Sequence, residues 1–281
     1  MPLVKMKDIL VKADQENYGV GAFSIANMEM VMGAIKAAEE LRSPLILQIA
    51  EVRLNHSPIH MVGPLMVAAA KKATVPVAVH FDHGMTIEKI KETLEIGFSS
   101  VMFDGSHYPL EENIQKTKEV VELAKQYGAT VEAEIGRVGG SEDGSEDIEM
   151  LLTSTKEAKR FAEETNVDAL AIAIGNAHGM YNGDPDLRFD RLQEINEEVC
   201  IPLVLHGGSG ISPEDFKQCI QHGICKINVA TATFHNVITA VNNAVGNAPY
   251  SDYFAYHQDV IHAAYENVKH HMQIFGSENR A

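Results

Sequence analysis

Residues 75–84 read VPVAVHFDHG, and this stretch decides the fold. An apolar, β-branched run closed by a polar tip and a glycine describes a buried strand that delivers side chains to one end of a sheet. Residues 169–179, ALAIAIGNAHG, and residues 202–210, PLVLHGGSG, repeat the pattern. The three runs deliver His83, His178 and His206. A lone buried histidine is more often a structural, hydrogen-bonded imidazole than a ligand. Three delivered in the same way favour a metal site, because a catalytic zinc takes three protein ligands, commonly neutral imidazoles, and keeps one position open.

Outward from these runs, apolar strands and amphipathic helices alternate. Strand-like runs cover 19–24, 44–49, 75–80, 100–103, 130–133, 169–174, 202–205 and 226–229. Helical spacing covers 28–41, 58–72, 87–96, 110–127, 155–164, 187–198, 213–221 and 232–243. Such alternation predicts a parallel sheet, and at about 250 residues its natural container is a closed (β/α)8 TIM barrel. Residues 252–275 read as an additional C-terminal helix. No Pro/Gly/Ser tract divides the chain, so residues 1–281 are expected to form a single domain. The Gly-rich, acidic stretch 136–147 reads as a mobile, lid-like loop.

Composition narrows the function. A net charge of −16 and a pI near 5.2 argue against nucleic-acid and anionic-membrane partners. No apolar run approaches the ~18 residues of a membrane span, and no signal peptide is read. Cys200, Cys219 and Cys225 form an odd set without C-x-x-C spacing, which fits reduced thiols in a cytoplasmic protein.

In a barrel of this kind functional residues follow the strands, since the βα loops share one face. Asp82, His83, Asp104, Glu134, His178, His206 and the run Asn228, Val229, Ala230, Thr231 all fall there. Asp82, beside His83, is either a general acid/base or a strand-end cap. Asp104 and Glu134 are either ligands of a second metal position or groups that orient the imidazoles. The glycines at 207, 208 and 210, with Ser209 or Ser212 ahead of a helix, suit a phosphate cradle that Asn228–Thr231 can close. Such a cradle would answer the problem an acidic protein has with an anionic substrate. Strand alternation predicts that His80 points elsewhere than His83. His257, His262, His270 and His271 are expected on a solvated helix face, and Lys226, at the start of its strand and the wrong end for the mouth, is read as structural.

The ordered motifs D-H-G, D-G-S, E-A-E-x-G, A-x-G-x-x-H-G, L-H-G-x-S and N-V-A-T resemble those of the class II, metal-dependent ketose-bisphosphate aldolases, fructose- and tagatose-bisphosphate aldolases among them. The resemblance spans nearly the whole chain. It implies a catalytic Zn2+ on His83, His178 and His206, and a second divalent or monovalent cation on Asp104 and Glu134. It implies that Asp82 exchanges a proton with the aldehyde oxygen, and that Glu142, in the loop GGSE at 139–142, handles the C3 proton. Gly179, Gly207, Gly208, Ser209, Asn228, Val229, Ala230 and Thr231 would hold dihydroxyacetone phosphate. The implied substrate is a ketose 1-phosphate or 1,6-bisphosphate of carbohydrate metabolism and glycolysis, and the implied assembly a homodimer or homotetramer. Another zinc-dependent barrel enzyme, such as a hydrolase of phosphorylated sugars, would explain the histidines but not the GGSG and NVAT pair.

Departures from the family pattern sharpen the expectation. Ala230 stands where fructose-bisphosphate aldolases usually carry aspartate, as in the tagatose type. Ala232 replaces an acid and Ser24 a common asparagine. The span 253–265, where the family places an arginine for the distal phosphate, contains neither Arg nor Lys.

Overall fold

The computed structural model describes residues 2–141, 149–179, 181, 183 and 185–281. Eight parallel strands close a barrel: β1 (Val20–Ser24), β2 (Leu45–Ala50), β3 (Val77–Gly84), β4 (Ser100–Phe103), β5 (Thr130–Ile135), β7 (Ala169–Ile172), β9 (Leu203–Leu205) and β10 (Ile224–Val229). Two short strands at the mouth, β6 (Gly139–Gly140) and β8 (Ala177–His178), pair with each other. The expected (β/α)8 barrel is therefore the fold.

Around the barrel run α1 (Met6–Glu16), α2 (Met28–Leu41), α3 (Ile59–Lys72), α4 (Ile87–Ile96), α5 (Leu110–Tyr127), α6 (Thr155–Thr165), α7 (Phe189–Glu198), α8 (Pro213–Gln221), α9 (Thr231–Asn247) and α10 (Tyr253–Ile274). Among the described residues no helix is long and apolar enough to cross a membrane. Local signals explain the boundaries. Asn27, Thr86 and Ser212 accept hydrogen bonds from the first turns of α2, α4 and α8, while Gly97 and Gly128 end α4 and α5 in the left-handed conformation.

Strand alternation splits the interior in two. On β3, Val77, Val79 and Phe81 face the helices and join the outer core, whereas Ala78, His80 and Asp82 face the barrel axis. The axis holds a second apolar cluster of small residues, Ala22, Ala78, Ala169 and Ala171, with Ile46, Met102 and Val204. Helix α1 joins it through Met6, Ile9, Leu10 and Ala13. It enters at the strands' N-terminal end, where Val77 bonds to Pro2 and Val4. The sequence reading omitted this helix, although those four residues follow the i, i+3, i+4, i+7 spacing of an amphipathic helix.

Three expectations are corrected here. Strand β3 continues to Gly84, so His83 lies within it. Strand β10 begins at Ile224, which places Lys226 inside the barrel and fully buried. On α10, His271 is buried among Phe23, Phe216 and Phe275, and burial pushes its imidazole down to about 4. His257 is likewise not solvated: it pairs with Glu29 of α2 at 2.9 Å.

The expected additional helix, α10, lies on α2. Gly33 permits the contact, because a Cβ there would meet Ile261 O at 2.7 Å and Tyr265 N at 2.8 Å. Overpacking of this kind costs about 1–3 kcal/mol. Gly33→Val should lose that much stability in urea denaturation; a variant as stable as the parent would contradict close packing of the two helices.

Candidate active site

Consecutive residues of a regular strand face opposite sides, yet Asp82 and His83 both reach the mouth. The backbone accounts for this. His83 has a φ of 43°, in the left-handed region that non-glycine residues seldom enter, and the β3–β4 register shifts between Phe81 and Gly84. His178 comes from β8, beside Gly140 of β6, and His206 directly follows β9. The three imidazoles meet: a nitrogen of each lies within 4.8 Å of the others.

Hydrogen bonds define which nitrogens carry protons. His83 Nδ1 lies 2.7 Å from Asp104 Oδ2, and His206 Nε2 lies 2.9 Å from Glu132 Oε1. Carboxylates accept, so these nitrogens donate. The opposite nitrogens, His83 Nε2 and His206 Nδ1, then present lone pairs to each other at 2.8 Å. Two lone pairs at that separation repel unless a proton or a cation is shared. Glu134 Oε2, buried and without a hydrogen-bond partner, stands 3.6 Å from His206 Nδ1. A nitrogen-rich donor set with an adjacent carboxylate fits a divalent cation.

His83, Asp104 and Glu134 form a second possible cation group, again within 4.8 Å. Their electrostatics are divided. Burial, then the charge of Asp104, pushes the Glu134 carboxyl up to about 8. Burial works against Asp104 as well, but the hydrogen bond from His83 holds it well below the usual carboxylate range. Burial lowers His206 far enough to keep it neutral and able to act as a ligand. His80 does point away from this group, down the axis, where its Nδ1 bonds to Ser100 and its Nε2 lies 3.6 Å from Glu132.

Asp82 sits between two amides. Gln48 Nε2 donates to its Oδ2 and Asn228 Nδ2 to its Oδ1, each at 3.0 Å. The amide oxygens, Gln48 Oε1 and Asn228 Oδ1, are buried and lack hydrogen-bond partners among the described residues. Gln48 and Asn228 both line one small cavity, which leaves those acceptors for a ligand's hydroxyl groups. Gln48 and Glu132 escaped the sequence reading. The signals were present: a lone glutamine in the apolar run LILQIA, and an E-A-E pattern that sets Glu132 and Glu134 on one strand face.

His178, Gly179, Gly207, Gly208 and Ser209 line the same cavity, as do Ala230 and Thr231. Ser209 Oγ accepts from Ala232 N at 2.9 Å and ties the glycine loop to the start of α9. The N-terminus of α9 thus faces the cavity, favourably for an anion. Gly207 has a φ of 64°, and a Cβ there would lie 2.1 Å from Ala177 O. The Tyr181 hydroxyl donates to Gly207 O and accepts from Ala177 N, joining the loops that carry His178 and His206. Val229 has its side chain in the outer core, so only its backbone is available to the cavity. Gly208 N already bonds to Asn228 O and is not free for an anion. Glu142 lies outside the described residues.

Residues 4–280 match the sequence profile of the family described as class-II fructose-bisphosphate aldolase. The chain is 40% identical to the fructose-bisphosphate aldolase of Staphylococcus aureus (strain Mu50) over the full length of both. It is 38% identical to the sulfofructosephosphate aldolase of Alkalicoccus urumqiensis, over all of this chain and 99% of that protein. The crystal structure of the YdjI aldolase of Escherichia coli K12 matches with a TM-score of 0.90 at 34% identity, over 99% of both chains.

In metal-free protein, burial and the charge of Asp104 raise the Glu134 carboxyl to about 8, from an ordinary value near 4.5. The native state then holds the extra proton between these limits. Its contribution to stability is full below pH 4.5 and falls as pH rises toward 8. Urea denaturation of metal-free protein at both ends of this window should show Glu134→Gln losing less stability than the parent, by roughly 1–4 kcal/mol. Equal losses would contradict a protonated Glu134.

Proposed function

The chain belongs to the class-II fructose-bisphosphate aldolase family, and from that premise we propose the substrate and the roles of its residues. The enzyme, an aldehyde-lyase, reversibly cleaves a ketose 1-phosphate or 1,6-bisphosphate to dihydroxyacetone phosphate and an aldehyde. The observation that carries this reading is Asp82, held by two amides on the strand that also bears His83, one of three convergent imidazoles. Family membership replaces the hydrolase alternative.

His83, His178 and His206 would hold a zinc ion, and Asp104 with Glu134 a second cation, divalent or monovalent. Bound there, zinc would supply Lewis acidity toward the ketose carbonyl as the C3–C4 bond breaks. Asp82 takes the C4 hydroxyl proton as that bond's electron pair moves toward C3 and C2, and returns it on condensation. Gln48 and Asn228 keep both Asp82 oxygens aimed while that proton moves. Glu142 is assigned the C3 proton on the family pattern. Gly179, Gly207, Ser209 and Asn228–Thr231 hold the phosphate of dihydroxyacetone phosphate, Gly208 only shaping the turn because its N–H is spent on Asn228 O, and the α9 N-terminus offsets the charge. We further place the protein in the cytoplasm, as a homodimer or homotetramer of one-domain chains spanning 1–281, in glycolysis or a related branch of carbohydrate metabolism.

A retro-aldol assay over fructose and tagatose phosphates and sulfofructose phosphate tests the substrate. Chelator should abolish cleavage and zinc restore it; cleavage of none by zinc-loaded enzyme would refute the reading. Asp82→Ala should lower turnover about 10²–10⁴-fold while ligand affinity stays within about tenfold. Unchanged turnover would exclude the acid/base role. The first half of α10 offers no Arg or Lys up to Tyr265. A 1,6-bisphosphate should therefore gain less than about tenfold in kcat/KM over the 1-phosphate; a steep gain would overturn that expectation.

A further inference from the structure

We propose that Lys226 and Glu132 are positioning residues, a buried ion pair that sets the ring orientation and tautomer of His206; this rests on the cation reading above. Both residues are fully buried, and Lys226 Nζ lies 3.0 and 2.8 Å from the two Glu132 oxygens. A buried pair of this kind seldom stabilises a fold more than apolar side chains of the same volume would. Much of the barrel interior is filled in that apolar way, by Ala78, Ala169, Ala171 and Met102, the last three on the strands beside Glu132. Stability alone therefore does not account for a Lys–Glu pair among them.

What the pair touches does account for it. Glu132 Oε1 accepts from Lys226 Nζ and from His206 Nε2, the latter at 2.9 Å. The ammonium spans both carboxylate oxygens and so fixes the plane of the group. That fixed plane holds the proton on His206 Nε2 and turns the Nδ1 lone pair toward His83 and Glu134. Lys226 itself does not line the cavity. It acts through Glu132 on the imidazole, at two removes from any substrate. Asp104 does the equivalent for His83, without a cation behind it. The lysine is what His206, buried deeper than His83, has in place of solvent.

The test uses the full chain stripped of metal, titrated with cobalt(II) against a chromophoric chelator. Lys226→Met and Glu132→Gln should each bind cobalt about 10–100-fold more weakly, with a shifted cobalt absorption spectrum. Phe161→Leu, in the outer core, serves as a control that lowers stability and leaves both readouts alone. Variants with parental cobalt affinity and spectrum, whatever their stability, would overturn the inference. Should Lys226→Met not fold, Glu132→Gln, of nearly equal volume, decides alone. A parent chain that binds no cobalt would instead remove the cation reading itself. A binding parent with unaltered variants removes only the role given to Lys226 and Glu132.

Discussion

Two imidazoles confront each other with their lone pairs because a carboxylate anchors the far side of each ring. His83 is pinned by Asp104 and His206 by Glu132, which leaves Nε2 and Nδ1 facing at 2.8 Å. The rest of the mouth is arranged around that unfavourable confrontation. Glu134 stands close by, and His178 closes the third side. A protein assembled for stability alone would have no use for this cluster of dehydrated polar groups. A shared cation resolves it, since each feature that is costly in its absence becomes a ligand or an orienting group in its presence.

Three groups of side chains fill the barrel interior: small apolar residues packed with α1, the Lys226–Glu132 pair with His80, and Asp82 with the histidines at the mouth. Strand alternation supplies them, because every second residue of each strand points inward. In the anion site we propose, recognition would fall to backbone and helix dipole at the start of α9, which carry no formal charge, so the overall charge of −16 need not oppose it.

Much of this was legible in the residues. Four helices, α2, α4, α5 and α8, and strand β4 have the boundaries that the sequence predicts, because caps, glycines and hydrophobic period agree there. The three histidines were legible because each closes an apolar run. What escaped was whatever depended on contacts across the barrel. Glu132 and Gln48 are single polar residues inside apolar strands, and only strand parity shows that they face the axis. Lys226 was placed at the very start of its strand, away from the mouth, because β10 starts earlier, at Ile224, with a register irregularity before Lys226. His271 looked solvated because the helical pattern of α10 does not disclose that α8 and β1 pack over that face.

The left-handed residue at position 83 has an evolutionary corollary. Asp82, to which we give the proton transfer, and the convergent His83 imidazole are joined by a single peptide unit, so covalent geometry, not loop packing, spaces them. The two positions are therefore mechanically one part. Neither can be shifted along the chain by an insertion without displacing the other, and the loops around them are free to diversify toward new aldehydes while the reactive core stays in register.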